Sequence, residues 1–184
     1  MTQGKDIVRT ALILLIILTC ISSDALAKKK KTFTTMGDVG QVLIPAAAAY
    51  MTYSKDDPEG TAQFLKSFAA TWGTTFALKH ITDTKRPDGG NYSFPSGHTS
   101  SAFAGAAFIT NRYGWQYGFP AYVGAALVGV SRIDAHLHRP IDIVGSIVLA
   151  VGFNKLFTTP YKDSVKISYN VDGRNAQLSL NAKF

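Results

Sequence analysis

Apolar segments of helical length alternate with short polar connections through the middle of the chain. Apolar residues recur within these segments at the three- and four-residue spacing of an α-helix. Short connections make successive helices antiparallel neighbours. The pattern predicts an all-α fold, an antiparallel bundle of five core helices. The predicted helices are Val39–Tyr53, Thr61–His80, Thr99–Arg112, Phe119–Arg132 and Ile141–Phe157.

The second predicted helix carries a stripe of large apolar residues. These are Phe64, Leu65, Phe68, Trp72 and Phe76. A stripe at this spacing is typical of the helix face that packs against a protein core. We therefore expect these five side chains to be buried in the bundle.

The tail, residues 161–184, has a different period. Apolar and polar residues alternate from Val165 to Val171 and again from Ala176 to Phe184. Asp172-Gly173 between the two runs suits a tight turn. The alternation predicts a short C-terminal β-hairpin with one apolar face. Because a lone hairpin is marginal in water, it is expected to pack on the bundle, a partner or a membrane surface.

Residues 1–27 are typical of a secretory signal. Lys5 and Arg9 precede an apolar run, Thr10–Ile21, and Ala25-Leu26-Ala27 resembles a cleavage site. The alternative is a first membrane helix, which would give six hydrophobic segments in all. The run is about 12 residues, short of the roughly 20 that a membrane span needs. Cleavage would leave a helical domain at residues 28–160 before the tail.

The net charge of +7 favours acidic partners, such as a phosphorylated small molecule or the head group of a lipid phosphate. The single cysteine, Cys20, lies inside the predicted signal, so a chain beginning at Lys28 would have neither a disulfide nor a cysteine-based metal site. The sequence contains neither a recognisable nucleic-acid module nor a carboxylate cluster typical of divalent metal sites. We expect no nucleic-acid partner, no metal and no cofactor.

The stretch Phe94-Pro95-Ser96-Gly97-His98 combines a helix start with a titratable side chain. Pro95 suits the entry to a helix, and the hydroxyl of Ser96 can cap it. Gly97 permits close approach of a ligand to the backbone. The free N–H groups and the helix dipole favour an anion such as phosphate. His98 places an imidazole beside the same point.

Two other stretches contain residues suited to phosphate chemistry. Lys79 and Arg86-Pro87 flank the end of the second predicted helix, whereas Arg132, His138 and Asp142 lie where the fourth ends and the fifth begins. In an antiparallel bundle these ends share one rim with the start of the third helix, which carries His98. Helix order alone therefore predicts that the stretches converge.

Together the three stretches match the pattern K-x6-RP … PSGH … SR-x5-H-x3-D, from Lys79 to Asp142. The chain in this respect resembles the type 2 phosphatidic acid phosphatase family, which includes bacterial acid phosphatases and vanadium haloperoxidases. The resemblance implies a metal-independent phosphatase that hydrolyses phosphomonoesters, or lipid phosphates and pyrophosphates, through a phosphohistidine.

The residue chemistry is compatible with the roles that the resemblance implies. Positive charge at Lys79, Arg86 and Arg132 can bind phosphoryl oxygens, and Ser96 and the Gly97 N–H can donate hydrogen bonds. His138 is the candidate nucleophile and His98 the candidate general acid. Asp142, one helical turn after His138, can hold one imidazole nitrogen and leave the other free. The remaining polar residues near these positions are interpreted as exposed or locally bonded: His80, Lys85, Asp134 and His136.

Two other functions fit the same pattern. One is a vanadate-dependent haloperoxidase, against which the short chain argues, and the other is a non-catalytic phosphate- or lipid-binding protein, against which the two histidines and Asp142 argue. Apart from Thr61–His80, the predicted helices have about 13 to 17 residues, or roughly 20 to 25 Å, less than a bilayer core. We therefore expect a periplasmic protein on the membrane surface. The alternative is an integral membrane protein with a periplasmic site.

Overall fold

The computed structural model describes residues 26–161, 166–172 and 175–181. Five helices occupy the first range: α1 (Leu26–Ser54), α2 (Pro58–Thr82), α3 (Gly97–Tyr113), α4 (Trp115–Asp134) and α5 (Pro140–Phe157). The predicted all-α bundle is confirmed. Two strands, β1 (Lys166–Asp172) and β2 (Asn175–Asn181), pair antiparallel with Lys166 opposite Asn181. The predicted turn at Gly173 and the signal in residues 1–25 lie outside the described residues.

Helix α3 is the central element, because it packs against each of the other four helices. Its residues from Thr99 to Ile109 are buried, and alanine, glycine and serine predominate among them. Small side chains permit close approach of the neighbours. At Gly105 the space for a β-carbon is taken by backbone atoms of Pro45 on α1, the nearest at 2.7 Å. Helices α1 and α3 therefore meet backbone to backbone at this point.

The helices are longer than the sequence pattern predicts. Helix α1 has 29 residues and α2 has 25, while α4 and α5 have 20 and 18. A helix of 20 residues is about 30 Å long, which matches the core of a bilayer. The expectation of helices too short for a membrane was therefore wrong for α1 and α4, whereas α2 had been excepted from it. Apolar periodicity underestimated them because their polar first and last turns continue the same helices.

The buried face of α2 matches the predicted one only in part. Phe64 is buried and Phe68 is partly buried, but Leu65, Trp72 and Phe76 are 60%, 42% and 60% exposed. The side chains buried in their place are small and polar: Ser67, Thr71 and Thr75. The hydroxyl of each donates a hydrogen bond. That of Thr75, for example, donates to Ser100 Oγ on α3 at 2.9 Å. The expected core stripe is thus largely an outer face.

Apolar outer faces extend over the other peripheral helices. Large exposed side chains include Leu43 on α1, Leu127 on α4 and Val148 on α5. Within the described residues one helix, α5, is long and apolar enough by composition to cross a membrane. Polar atoms inside and apolar side chains outside are the arrangement of a protein surrounded by lipid. The surface of the bundle thus indicates membrane association.

A buried ion pair closes the rim that is formed by the C-terminal ends of α1, α3 and α5. Arg112 binds Asp57 through two nitrogens, at 2.6 and 2.8 Å, and Tyr113 donates to the same carboxylate at 2.9 Å. Burial alone would raise the pKa of Asp57, but these hydrogen bonds outweigh burial and hold the pKa below its ordinary value. A cavity of about 460 Å³ opens beside Arg112 and Tyr117. We call this end the far rim.

Candidate active site

The signature residues lie at the rim opposite the far rim, which we call the site rim. Lys79 is in the last turn of α2, Ser96 caps α3, and Arg132 is in the last turn of α4. His138 belongs to the connection before α5, and Asp142 to the first turn of α5. The antiparallel order of the helices brings these ends together, as the sequence predicted.

A hydrogen bond joins His138 and Asp142. Nδ1 of His138 lies 3.3 Å from Oδ2 of Asp142, and both side chains are at most 3% exposed. The same Oδ2 accepts from the hydroxyl of Ser93 at 2.6 Å and from the backbone N–H of Arg139 at 2.8 Å. Asp142, the third residue of the capping box at the start of α5, thus binds the backbone of the N-cap residue Arg139 and also orients the imidazole. The pairing directs Nε2 of His138 away from Asp142.

Positive charges surround the imidazole of His138. Burial lowers the pKa of His138 to about 4, and the charges of Lys79 and Arg86 act in the same direction. The nearby carboxylate of Asp142 opposes this shift but does not cancel it. The ring is therefore neutral at neutral pH, so a lone pair on Nε2 is available.

Lys79 and Arg86 approach the site from α2 and from the connection after it. Nζ of Lys79 donates to the carbonyl oxygen of Tyr92 at 2.7 Å, and its Cε would lie 3.8 Å from a β-carbon at Gly97. Nε of Arg86 is buried and has no hydrogen-bond partner among the described residues. Because an unsatisfied buried donor is costly, this nitrogen is suited to an anionic ligand.

The start of α3 presents Ser96 and Gly97 to the same rim. Ser96 is fully buried, and its oxygen accepts from the N–H and the hydroxyl of Thr99, at 3.4 and 3.1 Å. Its backbone is tied to α5, since its N–H donates to the Asp142 carbonyl and its carbonyl accepts from Ser146. The first N–H groups of α3, beginning at Gly97, have no partner within the helix. They face the rim as donors.

Arg132 is already engaged by protein groups. Its Nε donates to Ser131 Oγ at 3.1 Å, Nη1 to Asp38 Oδ1 at 2.6 Å and Nη2 to the carbonyl oxygen of Thr34. A guanidinium has five N–H donors, so one on each terminal nitrogen remains for a ligand. His98 contacts the same carboxylate, with Nε2 3.1 Å from Asp38 Oδ1.

Sequence reasoning missed Asp38 and Ser93. Neither belongs to the signature, and Asp38 precedes Lys79 by 41 positions on a different helix. No local pattern marks either residue, since each acquires its partner only through the packing of the helices. The four polar residues interpreted as exposed or locally bonded are all exposed: His80, Lys85, Asp134 and His136.

The described residues contain no group of three histidine, aspartate or glutamate side chains arranged to hold a metal ion. The site instead assembles cations from two helix ends and one connection, together with two histidines, each beside a carboxylate. Such an arrangement can bind a tetrahedral oxyanion and transfer a proton.

Comparison with known proteins agrees with this geometry. The model of the PAP2 superfamily matches residues 50–165. The lipid A 4'-phosphatase of Helicobacter pylori strain J99 is 30% identical over 139 residues, 68% of this chain and 70% of that protein. The undecaprenyl-diphosphatase BcrC of Bacillus subtilis is 36% identical over 83 residues, 44% of this chain and 41% of that protein.

Among solved structures, the crystal structure of Aquifex aeolicus LpxE is similar in fold, with a TM-score of 0.62 at 18% sequence identity. The similarity covers 79% of this chain and 92% of that one. The matched segment of the superfamily includes every signature residue from Lys79 to Asp142. On the extent of this match, the chain belongs to the PAP2 superfamily.

Proposed function

We propose that the protein is a membrane-embedded phosphatase that hydrolyses phosphate monoesters or pyrophosphates of lipids through a phosphohistidine intermediate. The observation that carries the proposal is the buried His138–Asp142 pair at the site rim. A neutral imidazole with one nitrogen held by a carboxylate can attack phosphorus with the lone pair of its other nitrogen. The adjacent charges of Lys79 and Arg86 supply the attraction for a phosphoryl group.

The reaction proceeds in two steps. Nε2 of His138 attacks phosphorus, and a P–N bond forms as the P–O bond to the leaving group breaks. His98 gives its proton to the leaving oxygen. Water then attacks phosphorus and returns a proton to His98, while the P–N bond breaks and inorganic phosphate leaves. Asp142 stabilises the positive charge that develops on His138 during attack.

Donors from several elements hold the phosphoryl oxygens. The unpaired Nε of Arg86, the ammonium of Lys79 and the two remaining N–H groups of Arg132 provide charge. The hydroxyl of Ser96 and the N–H of Gly97 add neutral donors at the start of α3. These groups come from different helices, so only the folded bundle assembles the complete set.

A lipid substrate follows from the surface of the bundle and from the relatives. The outer faces of α1, α2, α4 and α5 are apolar, which favours a position inside the bilayer. The far rim carries exposed aromatic side chains such as Tyr50, Tyr53 and Trp115, as membrane–water interfaces do. The similar proteins from H. pylori and B. subtilis bear the names of phosphatases that act on lipid phosphates.

This integral position replaces the peripheral one that the sequence favoured, and it retains a periplasmic site. Lys5 and Arg9 before the apolar run favour an N-terminus that stays inside. The first half of α1 then lies on the outer side, where Thr34 and Asp38 contact Arg132 at the site rim. The lipid phosphates available there are those of the outer leaflet.

Phosphate release by the detergent-purified protein tests the proposal. The panel contains phosphatidic acid, phosphatidylglycerophosphate, undecaprenyl pyrophosphate, lipid A and p-nitrophenyl phosphate. We expect turnover of at least one lipid, and its loss in His138→Ala. The matched control is His136→Ala, because His136 is exposed and its ring contacts a backbone oxygen, that of Asp134. Turnover by the His138 variant equal to that of the parent would exclude the nucleophile.

Two further measurements accompany the panel. Quenching in alkaline detergent during turnover of a phosphorus-32 lipid should trap label on the parent protein and none on His138→Ala, because the P–N bond of a phosphohistidine is stable in base. Activity is expected to survive EDTA, because side chains supply the positive charge. A complete loss with EDTA that a divalent ion restores would contradict the metal-free mechanism. Absence of phosphate release from every lipid would contradict the substrate class.

A further inference from the structure

Asp38, on α1, contacts two residues of the site rim at once. Its Oδ1 lies 2.6 Å from Nη1 of Arg132 and 3.1 Å from Nε2 of His98. The three residues belong to α1, α4 and α3, and their contacts span 94 and 60 positions of the chain. Asp38 is itself half exposed, with 48% of its side chain accessible, whereas Arg132 is buried. The carboxylate of Asp38 therefore links the buried guanidinium of Arg132 to the partly exposed imidazole of His98.

We propose that Asp38 is a positioning residue for proton transfer: it fixes the ring of His98 through Nε2 and leaves Nδ1 to face the leaving group. The inference rests on the proposed phosphatase reaction. It assigns to His98 what Asp142 provides for His138, a carboxylate partner that selects one ring nitrogen. The site accordingly contains two histidine–aspartate pairs, of which the signature contains one.

The electrostatics explain why His98 needs this partner. Burial and the charges of Arg132 and Arg86 all disfavour the protonated imidazole that a general acid requires. Asp38 is the carboxylate that opposes them. Without it, His98 would stand among cations with no group to retain its proton. Asp38 reduces this shift but does not cancel it, and the pKa of His98 stays below its ordinary value.

The neighbouring part of α1 is built to keep Asp38 in place. The carbonyl oxygen of Thr34, one turn earlier, accepts from Nη2 of Arg132. The adjacent Gly37 is buried, and a β-carbon there would collide with Ser131 and Arg132. These contacts hold the backbone around Asp38 against α4, within hydrogen-bond reach of His98.

The experiment compares leaving groups in Asp38→Asn. Nitrophenolate leaves without a proton, whereas an alkyl or lipid alkoxide needs one. We expect the ratio of aryl to alkyl phosphate turnover to rise at least about tenfold in Asp38→Asn. The control is Asp134→Asn, which removes an exposed carboxylate at the same rim and should leave the ratio unchanged. An unchanged ratio in an Asp38→Asn protein that keeps its aryl turnover overturns the inference.

A double-mutant cycle separates positioning from general damage. If Asp38 acts through His98, Asp38→Asn adds little to the alkyl-specific loss of His98→Ala. Additive losses would show that Asp38 acts elsewhere. Asp38→Glu keeps the charge on a longer arm and should recover part of the alkyl turnover. Loss of folding is recognised because aryl and alkyl turnover then fall together.

A readout without turnover distinguishes failure of this inference from failure of the proposed function. Nitrogen-15 spectra of histidine-labelled protein report which ring nitrogen bears hydrogen, and His98→Ala identifies the signals of His98. We expect the parent to show a hydrogen bond at Nε2 that Asp38→Asn lacks. A parent inactive on every substrate but with this signal would contradict the phosphatase assignment alone. Identical His98 signals in the parent and Asp38→Asn would contradict the positioning role.

Discussion

Nδ1 of His138 lies 3.3 Å from Oδ2 of Asp142, one helical turn along the chain, and the hydroxyl of Ser93 approaches the same oxygen more closely, at 2.6 Å. Asp142→Asn keeps the shape of the side chain but removes the charge that stabilises the imidazolium. We expect turnover to fall by about 100-fold or more, with KM little changed. Steady-state kinetics on the best lipid substrate measure both values.

Ser93→Ala is the matched control for Asp142→Asn. It removes a hydrogen bond from the same oxygen but leaves the negative charge and the contact with Arg139 in place. We expect a loss of less than about tenfold, since the imidazole keeps its carboxylate. Equal losses in the two variants would mean that orientation of Asp142, and not its charge, limits the reaction.

The second prediction concerns pH. The nucleophile acts in its neutral form, and burial lowers the pKa of His138 to about 4. Since the ordinary pKa of a histidine is about 6.5, protonation of His138 begins to inhibit the free enzyme only well below that value. The midpoint of the acid limb of kcat/KM should therefore lie near pH 4, and activity should persist at pH 5.5. An acid limb at pH 6.5 in the parent would show that His138 is not shifted.

Removal of one positive neighbour provides the control for this shift. Lys79→Met takes away a charge that disfavours protonated His138. The acid limb should move to higher pH in this variant, even though phosphate binding also weakens. The sign is diagnostic, because loss of binding alone would lower kcat/KM at every pH without moving the limb.

The third prediction concerns the ion pair at the far rim. Asp57→Ala leaves the buried guanidinium of Arg112 without its carboxylate, which costs about 3–5 kcal/mol in free energy of unfolding. Glu59→Gln is the control, because Glu59 is largely exposed and lies 3.7 Å from the same guanidinium. Thermal unfolding in detergent should show a lower Tm in Asp57→Ala alone. A Tm equal to that of the parent would contradict the structural role of the pair.

The fourth prediction concerns the bilayer. Val148 is 64% exposed near the middle of α5, so Val148→Arg would place a charge in lipid at a cost of about 2.5–3.5 kcal/mol. We expect the amount of this variant in membranes to fall. Gln116→Arg at the far rim is the control and should accumulate normally. Carbonate washing should leave the parent in the membrane pellet, and its release without detergent would support the peripheral position.

Helix order was sufficient to predict that the signature residues converge. Lys79 and Arg132 end helices, and Ser96 and Asp142 begin them, so an antiparallel bundle leaves a single rim for all four. Which face of α2 is buried was not predictable in this way. A stripe with a helical period identifies a face but not its surroundings, so Phe76 was assigned to the core although it lies outside.

Partners from distant helices were equally hidden from the sequence. Nothing in the sequence distinguishes Thr75 from other threonines in apolar segments. Its partner, Ser100, comes from α3 and is brought beside it only by helix packing. Asp38 follows Gly37 in a segment with no resemblance to a phosphatase motif, and its significance appears only when α1, α3 and α4 are packed. Local patterns specify helix ends well because caps and turns are local, whereas contacts between helices depend on the whole bundle.

The meeting of Gly105 with Pro45 has a mechanical consequence for the site. His98 precedes Gly105 by seven residues, and Asp38 precedes Pro45 by the same number, on helices that both run from the site rim towards the far rim. The two side chains therefore stand about 10 Å from a common fulcrum, two turns along each arm. A tilt of one arm about this fulcrum changes the separation of Asp38 and His98 directly. A methyl group at position 105 would push α1 and α3 apart at this point. The separation of Asp38 and His98 would then change, so proton transfer at the site rim would depend on packing in the middle of the bundle.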